Sequence, residues 1–190
     1  MVFVVGVVGT IASGKDTLAD LVAVGLGGKR FGFSQVIDEE LARKGREVTR
    51  PNQRDLANSV RRREGPGAWA KILADRVAIQ EGYAVAEGFR NPMEIKEFYA
   101  DFGKKFVLVA IDAKLSIRFK RATERAKEGE KKTLQEFKDI DAREKGKGEE
   151  FYGHNIDGCM ALADYAVINN GSFEDLKRQA GLVVEKVKRL

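Results

Sequence analysis

The sequence predicts an α/β protein: a three-layer α/β/α sandwich around a parallel sheet of about five strands. Three observations predict it. The chain opens on an unbroken apolar run, Val2–Val8, that runs into the glycine-rich stretch Gly9-Thr10-Ile11-Ala12-Ser13-Gly14-Lys15-Asp16-Thr17. Strand-length apolar runs then alternate with segments of helical spacing, the signature of parallel β-α units. Four segment ends, at Val8, Glu87, Asp112 and Asn169, fall where such a sheet places its ligands, near the C-terminal ends of its strands.

Val2–Val8 is apolar at every position, as a strand covered on both faces must be. Thr17–Leu26 reads as a helix with Leu18, Leu21 and Val22 on one face, and Gly25, Gly27 and Gly28 stop it. Arg30–Ser34 is a short second strand. Gln35–Lys44 has helical spacing through Val36, Ile37 and Leu41, and a further helix follows Pro51 to about Arg63. After the turn Gly65-Pro66-Gly67, Ala68–Gln80 is helical again. Tyr83–Glu87 and Phe106–Asp112 are strands flanking the helix Pro92–Phe102, whose proline stands at a helix start. Ser116–Lys127 is a strongly basic helix. Glu128–Glu150 is highly charged and reads as exposed and mobile. Tyr165–Asn169 is the last strand and Phe173–Lys188 the last helix. Trp69, Phe31 and Phe33 are core candidates, and Cys159 and Met160 fit a helix before the last strand.

A chain of 190 residues with this pattern fits one domain, and no internal repeat or linker divides it. One cysteine excludes an internal disulfide, and one cysteine with one histidine cannot form a Cys/His zinc site. The first apolar run lacks a basic flank and is too short for a signal peptide or a membrane span, so the expectation is a soluble, cytoplasmic protein without a membrane partner. The net charge of +5 reflects either a solvated basic surface or an anionic ligand. His154, with no partner in sequence, reads as a surface or core residue.

Gly9–Thr17 approaches G-x-x-x-x-G-K-[ST], with Asp16 where a hydroxyl usually stands. A strand before it and a helix after it give the motif a mechanism: backbone N–H groups and the helix N-terminus converge on phosphates, and Lys15 meets the β and γ phosphates. The expected cofactors are therefore ATP and Mg²⁺. Asp16 is a hard oxygen ligand that binds Mg²⁺ directly or through one of its waters, and Thr17 still offers a hydroxyl one residue on.

Gly14-Lys15-Asp16-Thr17, together with Ala86–Pro92 and Ala163–Gly171, resembles the phosphate-loop nucleoside monophosphate kinase-like proteins. The similarity is to dephospho-coenzyme A kinases, deoxynucleoside monophosphate kinases and archaeal kinase-like proteins, in order from about Val4 to Lys177. It implies a P-loop NTPase fold with a helical acceptor-binding insert at about 35–80 and a charged lid at about 118–150. It implies an ATP-dependent kinase whose partner is a small nucleotide-like acceptor. Glu87 matches the strand-end acid that orients Mg²⁺ through water or accepts a proton. Arg61 and Arg90 match acceptor-side arginines, and Ser34 and Asp38 fall where acceptor residues are expected. The dephospho-coenzyme A kinases carry an aspartate near the second strand, whereas Ser34-Gln35 stand here and Asp38 follows a turn later. Arg121, Arg125 and Arg143 would clamp the transferring group, with Arg118 on the same helix face. Asn169, Asn170 and Gly171 would read the adenine. The competing expectation is a nucleotide-dependent RNA-binding protein or a regulatory ATPase. The Asn-Lys-x-Asp segment of regulatory GTPases and the Leu-Ser-Gly-Gly signature of transporter ATPases are both missing. Oligomeric state is not legible.

Overall fold

A computed structural model describes residues 1–126 and 132–190. Its elements in chain order are β1 (Val2–Gly9), α1 (Lys15–Leu26), β2 (Lys29–Gly32), α2 (Phe33–Arg43), α3 (Arg50–Glu64), α4 (Ala68–Ala78), β3 (Gly82–Glu87), α5 (Pro92–Phe102), β4 (Phe106–Asp112), α6 (Leu115–Arg125), α7 (Leu134–Glu144), α8 (Ile156–Met160), β5 (Tyr165–Ile168) and α9 (Phe173–Val187). The strands form one five-stranded sheet in the order β2-β3-β1-β4-β5, and every pair is parallel.

The sheet splits the core in two because side chains alternate along a strand. Val4 and Val8 of β1, Ala84 and Ala86 of β3, and Phe106, Leu108 and Ala110 of β4 face α2–α5 and α8. Val5 and Val7, Val85, and Val109 and Ile111 face α1 and α9. On the first face Phe33, Phe89, Phe98 and Phe106 interlock with neighbouring ring centroids 5.0–6.1 Å apart. Each ring so buried contributes about 1.5–3 kcal/mol of hydrophobic stabilisation. Trp69 joins this core at 1 % exposure, donating its indole N–H to the Ala57 carbonyl at 3.2 Å, while Phe31 packs at its margin. On the other face Leu18, Val22 and Leu26 of α1 meet Leu176, Ala180 and Val183 of α9.

The chain terminates its helices locally. Gly27 adopts φ 65° after α1, with Gly28 N–H returning to the Ala23 carbonyl, a left-handed stop. Asn91/Glu94, Thr133/Glu136 and Ser172/Asp175 form reciprocal capping boxes at α5, α7 and α9.

Two expectations need correction. α2 starts at Phe33, so Ser34 lies on a helix and not at the end of a strand. The charged segment expected to be exposed and mobile contains α7, capped by Thr133 and anchored by Phe137, which is 1 % exposed and packs tilted against Phe119 with ring centroids 5.6 Å apart. Residues 127–131, the end of the helix expected at Ser116–Lys127 and the start of the charged segment, lie outside the described residues. Among the described residues no helix is long and apolar enough to cross a membrane.

Candidate active site

From Gly9 the chain turns through Thr10–Gly14 into α1. Ala12 (φ 59°) and Gly14 (φ 98°) are left-handed, and alternation of this kind gathers backbone N–H groups into an anion-binding concavity. Ser13 N–H returns to the Thr10 carbonyl at 3.2 Å, and the first helical bond runs from Leu18 N–H to the Gly14 carbonyl at 3.0 Å. The amides of Lys15, Asp16 and Thr17 therefore stand at the open end of α1. Both glycines are sterically required. A Cβ on Gly9 would lie 2.4 Å from the Ile111 carbonyl oxygen, and one on Gly14 would lie 2.5 Å from Asn169 Nδ2.

Polar contacts from neighbouring strand ends brace the loop. Thr10 Oγ1 donates to Asp112 Oδ1 at 2.5 Å, and Asn169 Nδ2 donates to the Ser13 carbonyl at 2.8 Å. Arg121 reaches the Ser13 carbonyl and Asn169 Oδ1, each at 3.4 Å. Arg118 is 2 % exposed; it donates to the Ala113 carbonyl at 2.9 Å and the Ile11 carbonyl at 3.3 Å, and makes a two-pronged pair with Asp141 at 2.5 and 3.0 Å. Arg118 is thus a buried strut between the loop and α7, not part of a surface face.

Asp16 is exposed at the start of α1, with its Oδ1 3.3 Å from Lys15 Nζ and 3.4 Å from Arg30 Nη2. The same Arg30 nitrogen lies 3.2 Å from Glu87 Oε1, and Arg30 Nη1 lies 2.7 Å from Asp20. Burial works against the Arg30 charge, but its hydrogen bonds and attraction to Asp20 and Glu87 outweigh this and raise its pKa. The two carboxylates expected at a metal therefore converge on one point, and Arg30 neutralises them there. Among the described residues no group of three or more His, Cys, Asp or Glu side chains could hold a metal unaided. A donor pair of this sort fits Mg²⁺, which takes one or two carboxylates and completes its shell with phosphates and water.

A second concavity, about 260 Å³, opens beside β3 between α2, α3 and the end of α7. Ser34, Gln53, Arg50, Arg54, Arg61 and Arg90 line it, together with Glu144 and His154. Asp38 is withdrawn from it, accepting a short hydrogen bond from Gln53. Arg61 is 2 % exposed and gives Nε and Nη2 to Glu94 Oε1 at 3.0 and 2.8 Å, but its buried Nη1 finds no acceptor. Glu94 is fully buried, and its other oxygen takes the N–H groups of Arg90 (2.7 Å) and Asn91 (3.1 Å). One carboxylate thereby sets both expected acceptor arginines. Arg90 Nη1 makes a short ion pair with Glu144, whose other oxygen lies 3.2 Å from His154 Nδ1. Burial opposes the Glu144 charge, but the His154 hydrogen bond and the charges of Arg90, His154 and Arg54 bring its pKa down to about 2.

The structure thus brings together Gly9–Thr17, Arg121 and Asn169 at the loop, Asp16 and Glu87 at Arg30, and Ser34, Arg61 and Arg90 in the cavity. Arg125 and Arg143 are exposed, at the ends of α6 and α7, and Arg143 does not line the arginine cavity. The base-reading expectation changes most. Asn169 is 5 % exposed with its amide committed to the loop, Asn170 Oδ1 accepts Lys114 N–H at 2.8 Å, and neither Asn170 nor Gly171 has a positive φ. Sequence reasoning passed over Arg30, Arg50, Arg54, Glu94, Asp141 and Glu144, placed Asp112 at a strand end without giving it a role, and set His154 aside. The available signal was an arginine inside a strand segment, Arg30, and arginines four apart at a helix start, Arg50 and Arg54.

No protein-family model matches the chain. A UPF0200/UPF0201 protein of Archaeoglobus fulgidus is 34 % identical over 190 residues, covering 98 % of this chain but 54 % of that protein. The chain spans about half the length of that relative. A UPF0200 protein of Pyrococcus horikoshii is 32 % identical over 159 residues, 82 % of each chain. Among solved structures, a gluconokinase from Sinorhizobium meliloti superposes with TM-score 0.61 at 12 % identity, over 98 % of this chain and 94 % of that one. A shikimate kinase from Bacteroides thetaiotaomicron gives 0.60 at 16 % identity over 99 % of both. Such likeness establishes a fold, the P-loop kinase type. The extent and identity of the sequence matches establish kinship: this chain belongs to the UPF0200 family.

Proposed function

We propose that the protein is an ATP-dependent small-molecule kinase that passes the γ phosphate to a nucleotide-like acceptor, either a nucleoside or deoxynucleoside monophosphate or dephospho-coenzyme A. The carrying observation is the juxtaposition of two built sites on the C-terminal edge of one sheet. One is a left-handed glycine loop opening α1, and the other is an arginine-lined cavity beside β3. Phosphoryl transfer needs positioning and positive charge, and little else from the protein.

In this reading the amides of Gly14–Thr17 and Lys15 hold the triphosphate. Arg121, already at the loop, offsets charge on the transferring group, with Arg125 and Arg143 added if the segment at about 118–150 closes as a lid. Asp16 and Glu87 hold Mg²⁺, directly or through water, once Arg30 yields them. Bound Mg²⁺ supplies charge neutralisation between the phosphate oxygens. Ser34, Arg61 and Arg90 hold the acceptor within the helical region at about 35–80, and closure excludes water that would otherwise hydrolyse ATP. Asn170 and Gly171 stay accessible at the adenine end.

A coupled assay for ADP release, with Mg-ATP and a panel of these acceptors, tests the reading. Acceptor-dependent turnover supports it. Hydrolysis indifferent to every acceptor would instead favour a regulatory ATPase. Nucleotide affinity that is unchanged in EDTA would remove Asp16 from its metal role.

A further inference from the structure

The arginine cavity is unbalanced. Arg50, Arg54, Arg61 and Arg90 line it with His154, against a single lining carboxylate among the described residues, that of Glu144. Arg61 is neutralised by Glu94, yet its Nη1 is buried without an acceptor among the described residues. A buried donor left unmet is costly. The cavity's arginines present more donors than one carboxylate already engaged by Arg90 and His154 can meet, and a ligand carrying several acceptor oxygens supplies the rest.

Glu144 enters the cavity from the last turn of α7, far in sequence from the arginines it meets. One turn earlier on the same helix Asp141 pairs with Arg118, so α7 is held in place without Glu144. We infer that the cavity is a binding site for a phosphomonoester dianion, and that Glu144 is a tethered competitor occupying part of it. An incoming dianion takes Arg90 and His154 from Glu144 and gains Arg54 and Arg50. The inference rests on the kinase reading for its biological sense and, among the acceptors proposed above, favours the monophosphates over dephospho-coenzyme A, whose phosphates are diesters. The site itself is a matter of binding and is testable without turnover.

The experiment is calorimetric titration of the full chain with orthophosphate, and with a nucleoside monophosphate against its parent nucleoside. Wild type, Glu144→Gln and Arg54→Ala are compared, and each variant's melting curve is recorded. The expected result is that Glu144→Gln tightens orthophosphate and monophosphate binding roughly tenfold, since a charged hydrogen-bonding rival is gone. Arg54→Ala, an exposed position that folding tolerates, should weaken both by a similar factor. Mg-ATP affinity should stay within about twofold in both variants, because neither residue touches the loop. If Glu144 only props Arg90, Glu144→Gln weakens binding or leaves it unchanged, and the inference fails. It fails equally if nucleoside and monophosphate bind alike, or if Arg54→Ala has no effect. Should the variants behave as expected while no acceptor is phosphorylated, the dianion site stands and the kinase reading falls. Turnover with a monophosphate that ignores Glu144→Gln separates the two the other way.

Discussion

The phosphate loop and the arginine cavity solve the same problem, holding anions, by opposite means. The loop uses backbone N–H groups fixed by two left-handed residues, and the side chains that brace it, Thr10, Asn169, Arg118 and Arg121, include two arginines that donate to its main-chain carbonyls. The cavity uses guanidinium groups from separate helices, and charge sets their positions: Glu94 beneath Arg61 and Arg90, Glu144 across from Arg90. A backbone site keeps its shape whether or not it is filled. A side-chain site assembled from charges must balance them internally until a ligand arrives, which accounts for the buried pair below the cavity and the carboxylate inside it.

The sharpest way to break this contrast is at Glu94. Glu94→Ala leaves Arg61 buried and unpaired and should cost about 3–5 kcal/mol of stability, measured by urea unfolding. A loss under 1 kcal/mol would mean that Arg61 reaches water and that the cavity is not charge-built. Next is Lys15→Ala, which should lower turnover about 100- to 1,000-fold with little change in melting temperature. A matching fall in stability would mean that the loop, too, is held by its charges.

The third test is pH. Glu144 titrates near 2 in the fold against 4.5 ordinarily, so the unfolded chain takes up its proton first as pH falls. The stability it supplies is complete above about pH 4.5 and drains away towards pH 2, by no more than about 3 kcal/mol. The gap in unfolding free energy between wild type and Glu144→Gln should close over that interval, and a gap independent of pH would remove Glu144 from the balance. The smallest effect is at Asn169. Asn169→Ala removes one brace from the Ser13 carbonyl and should cost about 1 kcal/mol, read as a modest fall in both melting temperature and nucleotide affinity.

The same contrast explains what could be read from the sequence. The loop is contiguous, so its spacing, the strand before it and the helix after it all stand within the first 26 residues. β4 and α5 were equally legible, because an unbroken apolar run and an Asn-Pro start are local signals. The cavity is not local. Arg54 and Glu144 are 90 positions apart, and only tertiary packing joins them. Charge concealed α7, whose apolar anchor rests chiefly on Phe137 amid lysines and acids. Arg118 misled for a related reason: spacing placed it on a basic helix face, and its partner, Asp141, lies 23 residues away.

α7 touches both regions through two carboxylates three residues apart, Asp141 towards the loop's strut and Glu144 towards the cavity. A helix gripped by two carboxylates in its last turns in this way joins the two regions. If filling the cavity shifts its register on Arg118, thermodynamic linkage requires nucleotide occupancy to alter cavity affinity by the same factor. Two sites that never meet in sequence would then answer to one another through a single turn of helix.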